Sequence, residues 1–286
     1  MRVTFYGVRG SVPTPGASTV RYGGNTSCIE TRLADGTILI LDGGTGLREL
    51  GKQLVAEGVK APLHLMITHV HWDHIIGVPF FAPIYTRDTQ LILYPLTTES
   101  PASPLPQDEL FDGLHFPLRM HQLPSQIVRP PAPASDGSWR VGSARVTRVR
   151  LNHPGGSTGF RVDDADGSSL AFLTDNELDP PGGRLISTAE LARFAKNAGL
   201  LVHDAQYLDG ELPDKRGWGH STVPQVLELG RMAEARRVAL YHHDPERDDD
   251  ALDEIARGAH AWWRENVGAG DAVVAAEKLS IEVPPG

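Results

Sequence analysis

Short apolar runs separated by polar turns predict β-strands throughout the first third of the chain. Some runs alternate apolar and polar residues and others are continuously apolar, and both patterns are typical of strands. The segment Gly46–Gly58, GLRELGKQLVAEG, is instead typical of a helix. The strand predictions are RVTFYG at 2–7, GNTSCIETRL at 24–33, TILILD at 37–42, PLHLMITH at 62–69 and TQLILYPL at 89–96.

The second half of the chain continues the same alternation. One helix is predicted after a cap at Ser221 or Thr222, and another begins near Asp248–Asp250, where acidic charge suits a helix N-terminus. Strands and helices in this order predict an α/β fold of sheet layers covered by helices. The strands are predicted at 139–153, 158–175, 199–205, 236–244 and 272–283. The first helix should bury Val223, Val226, Leu227 and Met232, and the second carries Trp262 and Trp263.

Residues Leu96–Ser138 break the pattern, because they are rich in Pro, Ser and Leu and show little periodicity. Long segments of this kind in compact domains tend to be functional lids or inserts. We expect one domain over residues 1–286, with two halves at about 1–150 and 151–286 and an insert or lid at about 96–138. The insert residues that could cover a substrate are His115, Phe116, Arg119 and His121.

A cluster of polar residues follows the fourth predicted strand, where His69, His71, Asp73 and His74 occupy six positions. Residues two apart in an extended segment point the same way, so His69 and His71 can share one metal ion. A turn into a helix starting near Ile75 would swing Asp73 and His74 towards a neighbouring position. Imidazole and carboxylate ligands of this kind suit zinc and similar divalent ions. The competing interpretation is that these residues cap a strand and a helix without any metal.

Three further ligand-type residues recur at the ends of apolar runs: His153, Asp175 and His242. The carboxyl ends of strands are where α/β proteins commonly place their sites. Any one of the three alone would be weak evidence, since a histidine at a strand end is more often an ordinary polar residue. Together with the first cluster they suffice for two metal ions that share a bridging carboxylate.

The motifs THVHWDH, NHPGG, LTDNE and YHHDP resemble the metallo-β-lactamase superfamily, whose HxHxDH pattern is matched at every named position. The resemblance spans essentially the whole chain and implies an αββα sandwich of two mixed sheets, with the site along one edge. It also implies Asp42 close behind the ligands. The ligand assignment that it implies is His69, His71 and His153 on one ion, Asp73, His74 and His242 on the other, and Asp175 bridging.

Several features favour one branch of this superfamily. Zinc β-lactamases typically have Cys where this chain has Asp175, and flavo-diiron reductases have Glu where it has His71. The motifs GHST at 219–222, HDAQY at 203–207 and GVRGSVPTPG near the start instead resemble ribonuclease Z and its phosphodiesterase relatives. The long basic arm by which ribonuclease Z holds tRNA is not evident, and residues 96–138 contain no Lys. Relatives of this kind are often dimers, so a homodimer is an open expectation.

Each remaining motif residue receives a predicted role. Asp73 would orient the attacking water or accept its proton, and His220 would donate a proton to the leaving group. His242 is preferred to His243 as the ligand, although the pair leaves both open. Residues expected to support the ligands or touch the substrate are Asp42, His203, Asp204, His243 and Asp244.

Charge and cysteine content narrow the substrate and the compartment. A formal net charge of −9 disfavours a long nucleic acid, since proteins that bind one usually display basic patches. The single cysteine, Cys28, allows no internal disulfide and fits a reducing compartment, so we expect the cytoplasm. The chain has no apolar run long enough for a membrane span, and its start lacks the apolar core of a signal peptide.

The leading functional prediction is a dinuclear metal-dependent phosphodiesterase that hydrolyses a small phosphodiester, plausibly a cyclic nucleotide, with a hydroxide held between two ions. The ions are expected to be zinc, with manganese, iron or nickel as alternatives. Three other functions stay open. They are tRNA 3′-processing endonuclease, thioester or lactone hydrolase, and a non-catalytic binding protein of the same fold.

Overall fold

A computed structural model describes residues 1–94, 110–130 and 133–286. Its first layer is a seven-stranded mixed sheet with the order β14-β1-β2-β3-β4-β5-β6. Strands β3 to β6 run parallel to one another, and the other neighbours are antiparallel. The strands of this sheet are β1 Arg2–Gly7, β2 Cys28–Arg32, β3 Ile38–Leu41, β4 Leu63–Met66, β5 Gln90–Leu93, β6 Gln126–Val128 and β14 Ser280–Glu282.

The second layer is another seven-stranded mixed sheet, with the order β13-β12-β11-β10-β9-β8-β7. Strands β10 to β13 are parallel neighbours, so the loops that follow β10, β11 and β12 leave the sheet at the same edge. The strands are β7 Ser138–Val141, β8 Ala144–Leu151, β9 Ser157–Asp163, β10 Ser169–Leu173, β11 Leu200–Asp204, β12 Arg237–Tyr241 and β13 Asp271–Val274.

Helices cover the outer faces of both sheets. Apolar side chains from the inner faces of the two sheets form one core between them, and two further clusters lie under the helices. The αββα sandwich implied by the sequence motifs is therefore confirmed. The helices are α1 Gly46–Ala56 against the first sheet, α2 Trp72–Ile75, α3 Thr188–Phe194, α4 Leu212–Lys215, α5 Val223–Met232 and α6 Asp249–Asn266. Within the described ranges, none of these helices has the length and apolar character that a membrane crossing requires.

Several boundaries differ from the sequence prediction. Helix α2 begins at Trp72, not near Ile75, because the His74 amide already bonds to the carbonyl of His71. The prediction that Met232 is buried on the inner face of the helix is wrong, because this residue is 38% exposed. The buried stripe of α5 continues from Val226 to Gly230 and Ala233, so residue 232 falls off the inner face.

The region at 96–138 contributes to the first sheet as well as forming an insert. Strand β6 lies inside it and pairs in parallel with β5, although its three residues were too few to stand out in the pattern. Phe116 of the insert packs against Phe80 and Phe111, and its ring centroid lies 5.7 Å from that of Phe80 and 5.5 Å from that of Phe111. The parts of the predicted lid at 96–109 and 131–132 lie outside the described residues.

Candidate metal centre

The first ligand group gathers three imidazoles and one carboxylate from three separate loops. Nε2 of His153, which follows β8, lies 3.0 Å from Nδ1 of His71. Oδ2 of Asp175, which follows β10, lies 3.6 Å from Nε2 of His69 and 3.6 Å from Nε2 of His153. One ligand atom from each residue lies within 4.8 Å of the others. This donor set is one that zinc and similar ions accept.

The second ligand group shares Asp175 with the first. Oδ1 of Asp175 lies 3.2 Å from Nε2 of His74 and 3.3 Å from Nε2 of His242. Oδ2 of Asp73 lies 3.0 Å from the same atom of His242 and 3.3 Å from that of His74. The two oxygens of Asp175 therefore face different groups, which is the arrangement that a bridging carboxylate requires.

The imidazoles of the second group are held from behind by polar side chains. Nδ1 of His74 donates to Oδ2 of Asp42 at 2.7 Å, and Nδ1 of His242 donates to Oε1 of Gln206 at 3.0 Å. Asp42 is itself fixed by the amide of Thr68 at 2.7 Å. With each Nδ1 used in this way, each Nε2 is directed into the group, where a metal ion could bind in place of a proton.

Two imidazoles of the first group are held in the same manner. Nδ1 of His153 donates to the carbonyl of Gly219 at 2.9 Å, and Nδ1 of His69 lies 3.0 Å from the hydroxyl of Thr68. Nε2 of His69 is buried without a hydrogen-bond partner among the described residues. A buried acceptor of this kind costs free energy unless something binds it, so the residues fit a metal ion.

Burial and charge act differently on the two groups. Burial lowers the pKa of His69 well below its ordinary value and that of His153 to about 4, so both imidazoles stay neutral and able to coordinate. Burial also opposes protonation of His74, but Asp175, Asp73 and Asp42 outweigh it and raise that pKa. A divalent cation would replace the proton held there.

Three site residues adopt left-handed backbone conformations where their strands end. Asp42 follows β3 with φ 65°, Asp175 follows β10 with φ 59°, and His242 follows β12 with φ 57°. Such conformations cost about 1–3 kcal/mol each and are retained mainly where the surroundings require them. Here each one turns a side chain from the end of a buried strand into the site.

Two glycines allow the backbone to approach the ligand imidazoles. A Cβ on Gly10 would overlap Nδ1 of His242, and a Cβ on Gly219 would overlap Nδ1 of His153. Gly219 also has φ +91°, a conformation that side chains disfavour. Both loops therefore pack directly against the ligands.

His220 lies over both groups. Its ring centroid is 5.2 Å from that of His153 and 5.1 Å from that of His242. Its Nδ1 donates to Oδ2 of the buried Asp204 at 3.0 Å, which leaves Nε2 available. The structure thus brings the predicted proton donor next to the predicted metal ligands.

The other predicted supporting residues lie further away. His203 donates from Nδ1 to the backbone carbonyl of Asp204 at 2.7 Å. Since the side chain of Asp204 accepts from His220, His203 is connected to His220 through Asp204. His243 donates from Nε2 to the carbonyl of Ala275 at 2.8 Å, so this atom is not directed at the ligand group that contains His242. Asp244 caps the amide of Glu246 at 2.9 Å. These contacts of His243 and Asp244 differ from the expected support of the ligands, and their contact with a substrate stays a prediction.

Sequence reasoning missed three residues that hold the ligands. Thr68 contacts His69, Gln206 contacts His242, and the amide of Ser11 donates to Oδ2 of Asp73 at 2.7 Å. Thr68 and Gln206 stand inside motifs already noted, THVHWDH and HDAQY, which was the available signal. Ser11 stands inside a third noted motif, GVRGSVPTPG, but its contact with Asp73 spans 62 positions, so the motif did not reveal its partner.

The chain is similar to known proteins over most of its length. A family model described as a beta-lactamase superfamily domain matches residues 37–243. A protein named ribonuclease Z from Haloferax volcanii is 29% identical over 333 aligned positions, covering 99% of this chain and 95% of the relative.

Solved structures share the fold at lower sequence identity. A diphosphatase from the PhnP family aligns with a TM-score of 0.67 at 17% identity and covers 98% of this chain and 97% of its own. Human tRNase Z, short form, aligns with a TM-score of 0.65 at 18% identity, covering 99% and 100%. At these identities the likeness concerns the fold.

Proposed function

Since the chain belongs to the beta-lactamase superfamily, we propose that this hydrolase cleaves phosphodiester bonds at the two ligand groups joined by Asp175. The observation that carries the proposal is the position of His220. Its ring packs against one imidazole from each group, and its Nδ1 donates to Asp204. A proton donor placed beside two metal positions suits a reaction that expels an alkoxide. The relative named ribonuclease Z supports the same chemistry.

The ligand set defines what the chain's own residues contribute. Two divalent ions, zinc or a similar metal, would supply an activated water and neutralise charge on phosphoryl oxygens. Asp73 holds its carboxylate at the second group with the help of the Ser11 amide, 2.7 Å away, and can orient the attacking water or accept its proton. Asp175 keeps the two groups at a fixed separation, because one carboxylate belongs to both.

His220 acts on the leaving oxygen in this proposal. Asp204 accepts from its Nδ1 and is itself fixed by the amide of Ser221 at 3.2 Å, so the imidazole cannot turn freely. The Nε2 atom can therefore hand a proton to the leaving oxygen of a phosphodiester bound at the two groups. General acids placed in this way contribute about 10²–10⁴-fold in rate.

The proposal is tested by assaying metal-replete protein with bis(p-nitrophenyl) phosphate, a cyclic nucleotide panel, a precursor tRNA and a thioester, each with Zn, Mn, Fe or Ni. Wild type should hydrolyse a phosphodiester with at least one metal, and Asp175→Ala should lose that activity. Turnover of the thioester alone would contradict the proposal and favour attack on a carbonyl carbon. The His220→Ala variant should lose more rate with diphenyl phosphate than with bis(p-nitrophenyl) phosphate, since nitrophenolate needs a proton less.

For the substrate, the comparisons support an RNA phosphodiester better than the cyclic nucleotide expected from the sequence. The relative that aligns over 99% of the chain is named a ribonuclease, and a matching fold belongs to a tRNase. We therefore place 3′-processing of an RNA precursor first. The precursor tRNA arm of the assay examines this choice directly.

A small phosphodiester remains the second candidate, because the charge of the chain favours it. The formal net charge is −9, whereas proteins that bind a long nucleic acid usually display basic patches. An RNA substrate held by phosphate contacts should lose affinity steeply as salt rises. A cyclic nucleotide should show a much smaller salt dependence of KM.

A further inference from the structure

We propose that Glu177 is a positioning residue, which holds the loop 217–219 and through it sets both His153 and His220. Glu177 ends the motif LTDNE, in which only Asp175 received a predicted role. The inference rests on the proposed function for its kinetic consequences, but its structural part can be measured without any activity.

The carboxylate of Glu177 is buried and is satisfied by backbone amides. Glu177 is only 2% exposed. The amide of Gly217 donates to Oε1 at 2.9 Å and to Oε2 at 3.0 Å, and the amide of Gly219 donates to Oε2 at 3.0 Å. Among the residues that the structure describes, no Lys or Arg forms an ion pair with this carboxylate. A buried charge needs such donors, so the loop and the carboxylate depend on each other.

The backbone of Glu177 is fixed at the other end to the segment that carries His153. Its amide donates to the carbonyl of Asn152 at 2.8 Å, and Nδ2 of Asn152 donates back to the carbonyl of Glu177 at 3.0 Å. Asn152 immediately precedes the ligand His153. Glu177 therefore ties the loop 217–219 to the end of β8.

The held loop touches the site at two points. The carbonyl of Gly219 accepts from Nδ1 of His153 at 2.9 Å, and the next residue is His220. Gly217 and Gly219 both have φ +91°, so the loop follows a path that few other residues would hold unaided. Releasing the loop would loosen the orientation of a ligand and of the proton donor together.

The kinetic test uses Glu177→Gln and Glu177→Ala with Glu190→Gln as the matched control. Glu190 also accepts a backbone amide, that of Ser187 at 2.9 Å, but it caps helix α3. Misplacing a catalytic group by about 1 Å can cost about 10²-fold. Glu177→Ala should lose about that factor in kcat with diphenyl phosphate and several-fold less with bis(p-nitrophenyl) phosphate, matching His220→Ala. Glu177→Gln, which keeps one acceptor oxygen, should lie between wild type and Glu177→Ala.

The structural test is amide hydrogen exchange over residues 212–221. Loss of the acceptor should speed exchange at Gly217 and Gly219 about tenfold or more in Glu177→Ala and by a smaller factor in Glu177→Gln, while Glu190→Gln leaves it unchanged. Unchanged exchange, or an equal loss of kcat with both diesters, would overturn the positioning role. If wild type hydrolyses neither diester, the proposed function fails, but the exchange rates still decide whether Glu177 holds the loop. Should Glu177→Ala not fold, Glu177→Gln alone carries both measurements.

Discussion

At the scale of single residues, the site depends most on Asp175, because its two oxygens face four imidazoles. One oxygen lies near His69 and His153, and the other lies near His74 and His242. Burial raises the pKa of Asp175, but the surrounding imidazoles, His242 foremost, outweigh burial and hold it well below the usual range. The carboxylate is therefore ionised and ready to bind two cations.

Asp42 offers a test of how the ligands are held. In Asp42→Asn, Nδ1 of His74 loses the carboxylate that accepts from it at 2.7 Å. The side-chain amide of the new asparagine should hold the His74 tautomer with a protonated Nδ1 less strongly. We expect metal affinity to fall about 10–100-fold, measured by titration against a competing chelator. The control is Asp164→Asn, a buried carboxylate that accepts from the amide of Ala34 and the hydroxyl of Ser143. Equal affinities in wild type and Asp42→Asn would contradict this role.

Gly10 tests the close approach of a loop to a ligand. In Gly10→Ala the new methyl group would overlap Nδ1 of His242, so the imidazole must shift away from the second group. We expect the purified variant to bind one metal ion less than wild type by elemental analysis. Gly16→Ala is the control, since a Cβ there meets nothing within 4 Å. A full metal complement in Gly10→Ala would show that the site can absorb the methyl group.

The candidate ligands could be predicted from sequence at this scale because THVHWDH places four of them within six positions. The residues behind them could not be predicted equally well. The amide of Ser11 meets Asp73, and Glu177 meets the amides 40 and 42 positions later, so only the folded chain brings these partners together. Local pattern carries no information about such contacts.

At the scale of elements, the strongest apolar patterns were predicted most accurately. The strand at Arg2–Gly7 and the helix at Val223–Met232 with its cap at Thr222 match the prediction, since the strand is continuously buried after Arg2 and the helix buries one face. Helix α3 was not predicted: only Leu191 and Ala192 are buried in its seven residues, so its apolar signal is short. Strand β6 is three residues long and was hidden for the same reason.

The packing of α6 on α5 gives a prediction for stability. Trp263 of α6 is 1% exposed, and its ring lies against Gly230 of α5. Truncation in Trp263→Ala should lower the free energy of unfolding by about 3–5 kcal/mol, measured in urea. The neighbouring Trp262 is half-buried, so Trp262→Ala should cost clearly less. Similar losses in the two variants would contradict the packing described here.

At the scale of the whole molecule, the two sheets bring distant ligands together along one edge. His69 follows β4 of the first sheet, whereas His153, Asp175 and His242 follow strands of the second sheet. The position of ligand-type residues at strand ends predicted a shared site, but its place along one edge of two sheets came from the family resemblance. The substrate was the weakest prediction, because neither strand patterns nor ligand motifs describe the loops that would contact it.

Metal removal should therefore affect the stability of the whole fold. Bound ions stabilise the native state by RT ln(1 + [L]/Kd), about 2.7 kcal/mol when the free metal is at 100 times Kd. A chelator should lower the Tm of wild type, and added zinc should restore it. The Asp175→Ala variant is the control and should respond much less, since it lacks the shared ligand. An unchanged Tm in chelated wild type would argue against ions bound by both sheets.

The measurement that tests the central claim most directly is turnover against metal content. Zinc is added stepwise to metal-free wild type, and bound metal and hydrolysis of bis(p-nitrophenyl) phosphate are measured at each step. We predict saturation at two ions per chain with turnover that follows the second ion, and loss of both in Asp175→Ala. Saturation at one ion with full turnover, or wild-type turnover in Asp175→Ala, would contradict a two-metal phosphodiesterase bridged by Asp175.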